Sequence, residues 1–306
     1  MSDPGRSPRA FTVVAFAAAV IIGGANFLAV RFSNQELEPF WGAGLRFTGA
    51  AIIFVALSLA LRLEWPRGKM LLLTAAYGIV TFTLSYALMY WALVQVTAGI
   101  AAVVLAIVPL VTPMLASAQR LESLDRRAIF GALIALGGIG LMTVGPEGLV
   151  LPLSGLVAIL IAAVTVAEGV ILGKRVSGNH PAMTNAVGLV VGAPLLLVLS
   201  TIVGETWILP STTVSLWSVL YLMTVGSVGL FVLFLLVVRR WTASATAYSF
   251  VLFPVVTMLL EAWLAEVPLT VRGVTGALVV MAGVWLGAFA PKQRPAAVPA
   301  PDAAVS

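Results

Sequence analysis

A small set of polar side chains interrupts otherwise apolar stretches of this chain, and these are the residues whose types could do chemistry: Asn26, Arg46, Tyr77, Tyr86, Glu168, Tyr248 and Glu261. A charge within hydrocarbon costs several kcal/mol and is usually turned toward a protein interior or a water-filled path. Arg46 has the fork of donors that holds a carboxylate. Glu261 can hold an ammonium or pair with Arg46, and Asn26 offers both a donor and an acceptor. Arg46, Asn26 and Glu261 fall at similar depth in three different apolar runs, which would set them in one layer. Two other uses of these charges stay open: an Arg46–Glu261 pair that only ties helices together, and an Arg46 that snorkels to the membrane surface. Glu168, without a sequence-evident partner, is a candidate gate or proton-coupling group, or a carboxylate that meets water beside Lys174 and Arg175. Tyr77, Tyr86 and Tyr248 can stack on a flat organic solute or pack between helices. Tyr90 and Trp91, at the end of their run, read as members of an interfacial aromatic belt.

Covalent and metal chemistry find few parts here. The chain has no cysteine and a single histidine, His180, which lies in a polar link. That leaves no metal cluster, no membrane Ser–His pair and no HExxH helix. No Gly-rich loop ending in Lys-Ser/Thr is present, so a nucleotide phosphate cradle is not expected. No cofactor is expected, and the basic residues sit in short clusters rather than on one face, so nucleic acid is not an expected partner.

The elements that must position these residues follow from composition. Hydrophobic residues make up 61% of the 306 residues and charged residues 9%, against about half and a quarter in a soluble domain. Lipid is the solvent that accepts such a surface. Apolar runs of spanning length, about 20 residues, cover Phe11–Phe32, Pro39–Leu61, Met70–Val94, Thr97–Ala118, Ala128–Val144, Pro152–Gly173, Pro181–Val203, Val214–Val238, Ala243–Ala265 and Val271–Ala290. With both termini in the cytoplasm, the clusters at Arg6/Arg9, Arg62/Arg67/Lys69, Arg120/Arg126/Arg127, Lys174/Arg175, Arg239/Arg240 and Lys292/Arg294 all fall inside. Only Arg31 and Arg272 fall outside, the asymmetry expected of a correct helix count.

Thr97–Leu141 overlays Thr242–Leu286 without a gap, matching Pro109 with Pro254, Thr112 with Thr257, Gly131 with Gly276 and Gly138 with Gly283. Five spans per copy is an odd number, so the second copy enters the membrane upside down. The expected fold is an all-α polytopic membrane protein of ten transmembrane helices, two inverted five-helix repeats around a central cavity. The expected organisation is a cytoplasmic tail at 1–10, repeats at 11–145 and 152–290, and a disordered cytoplasmic tail at 291–306. Pro109 and Pro254 lack an N–H and should kink their helices beside that cavity, withholding a donor from the carbonyls of Leu105 and Phe250. Gly188/Gly192 and Gly283/Gly287 have the spacing of close helix approach, while Gly226 and Gly229 can open the eighth run for packing or bending.

Several of these motifs resemble a known family. Gly23-Gly24-Ala25-Asn26-Phe27 is similar to the Trp-Gly-x-Asn-Phe pattern of the drug/metabolite transporter superfamily, EamA type, with Gly23 where Trp is usual. Pro39 followed by Leu45-Arg46-Phe47 resembles the second-helix signature of that family, and Tyr86 to Trp91, Thr97, Pro109 and Glu122 resemble the rest of its repeat. The resemblance implies an exporter in the bacterial cytoplasmic membrane, nearest to the branch that moves aromatic amino acids and related metabolites. Its partners would be a small-molecule solute and the lipid bilayer, with a monomer as the expected state. The alternatives are a non-transporting structural or sensory membrane protein, or an exporter of another solute class.

Overall fold

The computed structural model describes residues 6–120, 126–145, 148–149, 152–241, 246–247 and 249–286. Helices α1 (Arg6–Ser33), α2 (Pro39–Ala60), α3 (Gly68–Gln95), α4 (Ala98–Ala118) and α5 (Arg126–Thr143) are followed by α6 (Leu153–Arg175), α7 (Pro181–Val203), α8 (Thr213–Arg240), α9 (Ser249–Leu264) and α10 (Val271–Val284). Between α5 and α6 a short antiparallel ladder pairs β1 (Val144–Gly145) with β2 (Gly148–Leu149). Seven helices have the length and hydropathy to cross a bilayer, and α5, α9 and α10 contain shorter apolar stretches of 10–17 residues. Large apolar side chains stay exposed on the perimeter, Ile52 at 66%, Leu72 at 72% and Trp263 at 76%, as a surface solvated by lipid requires. The fold is thus a helical, multi-pass membrane bundle.

Local chemistry sets the helix ends. Pro39 and Pro181 open α2 and α7, where a missing N–H is harmless. Thr97, Thr212 and Thr270 cap α4, α8 and α10 through their hydroxyls, satisfying main-chain donors that have no helical partner. Gly204, at φ 80°, closes α7 in the left-handed conformation, which glycine adopts at little cost. Helix α1 starts at Arg6, so part of the expected terminal tail is already helical.

The two copies meet as counterparts. Helix α2 packs on α7, α5 on α10 and α4 on α9, three helices each against its own repeat-mate, consistent with a two-fold axis in the membrane plane. A Cβ at Gly138 would lie 2.8 Å from the Gly276 carbonyl oxygen, and one at Gly283 would lie 2.6 Å from that of Gly131. These two contacts exchange under the repeat, because Gly131 matches Gly276 and Gly138 matches Gly283.

Both third helices carry a feature that the sequence reading missed. Each is α-helical at its ends and switches to π-helix midway, at Ile79–Leu84 in α3 and at Thr224–Gly229 in α8. The two segments are related by the same offset as Thr97 and Thr242, so the repeat extends upstream of its legible part. A π turn leaves a carbonyl without its ordinary helical partner. Here Val80 O takes the Ser85 hydroxyl, while Gly226 O takes side-chain donors from two other helices.

The expected pair of proline kinks is realised asymmetrically. In α4 the helix stops at Leu105, turns at Ala106–Ile107 and resumes at Val108, with Pro109 in the first turn of the new segment. In α9 Pro254 lies within a continuous helix. The expected approach at Gly188 and Gly192 is present: a Cβ at Gly78 would lie 2.3 Å from the Gly188 carbonyl oxygen, and Gly192 abuts Phe82. Gly78→Ala must therefore push main chain apart and should destabilise the bundle by about 1–3 kcal/mol. Gly137→Ala, with nothing within 4 Å of the new Cβ, should leave thermal unfolding in detergent unchanged. Equal melting temperatures for the two variants would contradict this packing.

Candidate functional site

A cavity lies where the interrupted helices converge. Helices of both copies line it: α1 through Gly23, Asn26 and Phe27, α3 through Tyr77, Thr81, Tyr86 and Met89, α4 through Leu105, α6 through Val166, Gly169 and Val170, α8 through Leu230, Phe231 and Phe234, and α9 through Phe250 and Phe253. Leu105 and Phe250, whose carbonyls face the two prolines, both reach this cavity, as expected. Its wall is mainly apolar, and seven of its lining residues are aromatic. Phe47 packs edge-on against Phe82 and Tyr86, and Phe231 lies beside both Phe82 and Tyr86, so the rings hold one another in place.

Three expected residues, Asn26, Tyr77 and Tyr86, line the cavity together. Tyr248, Glu122 and Gly287 lie outside the described residues. Phe27, Phe231, Phe234, Phe250 and Phe253 were missed as a group. A signal was available for Phe250, since it matches Leu105 in the repeat and so had to face the same space. Gly23, where the family pattern has Trp, leaves room that is taken by Phe253: a Cβ at Gly23 would lie 2.4 Å from that ring.

Arg46 lies behind this wall, completely buried. Its Nε donates to Ser227 Oγ and its Nη2 to Gly226 O, each at 2.8 Å, while Nη1 has no partner. The guanidinium stands 5.0 Å from the ring centres of both Phe47 and Tyr86, within cation–π range of each. Asn26 Nδ2 donates to the same Gly226 oxygen at 2.8 Å, and its Oδ1 is unpartnered. Gly226 permits this, because a Cβ there would lie 2.5 Å from Asn26 Oδ1. The expected layer is therefore half formed: Arg46 and Asn26 meet. Tyr90, expected in the interfacial belt, is instead fully buried with an unpartnered hydroxyl, whereas Trp91 is 38% exposed as a belt residue would be.

Glu261 belongs to a different cluster, which corrects its expected pairing with Arg46. Its Oε1 accepts from Arg31 Nη1 at 2.5 Å and from Ala98 N at 3.0 Å, and its Oε2 accepts from Gly99 N at 2.7 Å. The carboxylate thus caps the first turn of α4 where unpaired amides and the helix dipole favour an anion. Gly99 leaves room for this approach, since a Cβ there would lie 2.8 Å from Oε2. Arg31 turns toward α9, whereas Arg46 turns toward the π segment of α8.

Glu168 is likewise not alone. Gln119 Nε2 donates to Glu168 Oε2 at 2.5 Å, and Gln119 Oε1 accepts from Arg175 Nη2 at 2.6 Å. This chain joins α4 to α6 at the end of the bundle where α1 begins. The unpartnered carboxylate entertained from sequence is replaced by a partnered one.

At the opposite end the links after α1 and α7 are stitched together. Glu205 accepts from Phe40 N at 2.9 Å and Trp41 N at 2.6 Å, capping α2. Trp41 and Trp207 stack at 4.6 Å. Glu36 accepts from Ser211 N at 2.7 Å and Thr212 Oγ1 at 3.0 Å, and from the Ser211 hydroxyl. The Ser211 hydroxyl, with backbone donors from Ser211 and Thr212, lowers the Glu36 carboxyl from 4.5 to about 2. A depressed carboxyl stabilises the folded state fully above its ordinary value and loses that contribution as pH falls through the depressed one. The melting-temperature gap between the native protein and Glu36→Gln should hold constant above about pH 4.5 and close toward about pH 2. A gap already closed at neutral pH would show that this stitch contributes nothing.

Comparison with known proteins adds an independent line. The model of the EamA-like transporter family matches twice, at residues 10–144 and 153–288. The chain is 30% identical over 249 residues to the uncharacterised inner membrane transporter YedA of Escherichia coli (strain K12), covering 79% of each protein. It is 27% identical over 281 residues to a probable amino-acid metabolite efflux pump of Salmonella typhimurium, covering 88% of this chain and 92% of that one. A probable terminal-alkyne amino-acid exporter of Streptantibioticus cattleyicolor is 26% identical over 289 residues, covering 90% and 92%. One solved crystal structure shares the fold at a TM-score of 0.66 and 18% identity, covering 90% of this chain and 96% of the other.

Proposed function

We propose, because this chain belongs to the EamA-like transporter family, that it is a secondary exporter of small amphipathic metabolites, amino acids among them, working by alternating access across a bacterial cytoplasmic membrane. The aromatic cavity carries this reading. It is built from both copies, at the depth where α4 breaks, the π segment of α3 supplies Thr81 and the π segment of α8 runs directly into Leu230 and Phe231. Aromatic walls suit the apolar part of a solute, and a few polar groups fix its orientation. The names of two relatives, an amino-acid metabolite efflux pump and an amino-acid exporter, favour the same solute class.

In this reading both termini face the cytoplasm and the stitched links face outward. The halves touch through a carboxylate at each end, Glu261 outside and Glu168 inside, and export requires these to part in alternation. The interrupted helices α3, α4 and α8 are where bending is easiest, since they have already given up regular main-chain bonds. Glu168 retains a gating role as the inner tie, and its hydrogen bond to Gln119 supplies the contact that opening would break.

The test is flux in liposomes containing the purified protein, with labelled phenylalanine and labelled leucine, with and without a pH gradient. Phenylalanine should leave the loaded side faster than from empty liposomes, saturably. Flux no greater than from protein-free liposomes for both solutes would end the reading as an amino-acid exporter.

A further inference from the structure

Arg46 is a buried cation beside which no described residue places an anion. Around the guanidinium lie a carbonyl, a hydroxyl and two aromatic rings. Of the five N–H donors of an arginine, Nε and one proton of Nη2 are engaged. The remaining edge, Nη1 together with the second Nη2 proton, is a pair of parallel donors of the kind that fits the two oxygens of a carboxylate. The Tyr90 hydroxyl, also buried, stands beside the same guanidinium without closing a hydrogen bond of good geometry. A buried, incompletely bonded charge is expensive to maintain, and such groups gather where a ligand completes them.

The second half of the arrangement is Asn26. Its Nδ2 is committed to the Gly226 carbonyl, which fixes Oδ1 as the acceptor, and Oδ1 is a buried, unpartnered atom of a residue that lines the cavity. Arg46 and Asn26 share one carbonyl oxygen, so a residue with a free donor and one with a free acceptor meet in a single cluster. The π segment of α8 makes this possible by releasing that carbonyl, and Gly226 by lacking a side chain.

We propose that Arg46 and Asn26, joined on the Gly226 carbonyl, form the head-group subsite for an α-amino acid: the Arg46 fork takes the carboxylate, Asn26 Oδ1 takes the ammonium, and the side chain lies among Phe231, Phe250 and Phe253. The single guanidinium balances one negative charge, which favours a carboxylate over a dianionic phosphate. Tyr86 stands between guanidinium and cavity and has to swing for the carboxylate to reach its partner. This inference rests on the transport reading and names the chemistry that it selects.

The experiment compares phenylalanine, phenylalaninamide and 3-phenylpropionate as inhibitors of labelled phenylalanine flux, and as stabilisers of the detergent-purified protein against heat. The amide, lacking the anion, and the propionate, lacking the ammonium, should each be at least about tenfold weaker than phenylalanine. Arg46→Lys keeps the charge without the fork and should shrink the acid-over-amide preference to about twofold or less. Asn26→Leu should do the same for the amine-over-deaminated preference, and both variants can be checked by melting and elution profile. Flux with no preference among the three compounds overturns this subsite and leaves the exporter reading standing. Selective heat stabilisation without flux overturns the exporter reading and leaves the subsite. An unchanged acid-over-amide preference in a folded Arg46→Lys protein also overturns the subsite.

Discussion

Glu261→Ala is expected to destabilise the folded protein by about 3–5 kcal/mol, the largest loss foreseen for a single side chain here. The carboxylate is 4% exposed and accepts three donors at once, two of them the amides that open α4. Without it those amides face a low-dielectric surrounding with nothing to bond, and Arg31 loses its counter-ion. Arg31 is 33% exposed on its side chain, so water compensates its part and most of the loss comes from the amides. The effect should therefore fall toward the lower end of that range. Glu261→Gln keeps an acceptor oxygen and should lose less, about 1–3 kcal/mol, and Arg31→Ala less again. Thermal unfolding in detergent gives the order directly. If Arg31→Ala were as damaging as Glu261→Ala, the ion pair rather than the α4 cap would be the main contribution.

Tyr86→Ala is expected to reduce flux by about tenfold to a hundredfold, the equivalent of about 1.4–2.8 kcal/mol. One ring does two things: it forms part of the cavity wall against Phe47 and Phe231, and it covers the Arg46 guanidinium at 5.0 Å. A desolvated cation–π contact and an aromatic pair each contribute on the order of 1–2 kcal/mol. Tyr86→Phe preserves both faces and should transport within about threefold of the native rate. Concentration-dependent flux in liposomes separates the outcomes. Native-like transport by Tyr86→Ala would remove Tyr86 from the site.

Much of this architecture was legible in the chain because it depends on local quantities. The lengths of the apolar runs answer to bilayer thickness, and Pro39, Pro181 and Gly204 mark helix ends by their own backbone restrictions. The match of Pro109 with Pro254 and of Gly131 with Gly276 made the two copies visible along the chain. What escaped was rotational. Arg31 sits at the outer end of its run and Arg46 deeper in the next, and sequence cannot tell which of them turns toward Glu261. Gln119 as the partner of Glu168 was hidden for the same reason, since α4 and α6 approach only once both copies are assembled. The π segments were invisible because they follow from how α3 and α8 are pressed by their neighbours, with Gly226 as the faint local sign.

By itself, then, the sequence determined the solvent, the helix count and the inverted pairing of the copies, since hydropathy, charge asymmetry and repetition are written along the chain. The tertiary structure decided who meets whom inside: Glu261 with Arg31 and the α4 amides, and Arg46 with Asn26 on one shared carbonyl. The physical reason is that a helix presents its residues at fixed depth but free rotation, and only packing against its neighbours chooses the face.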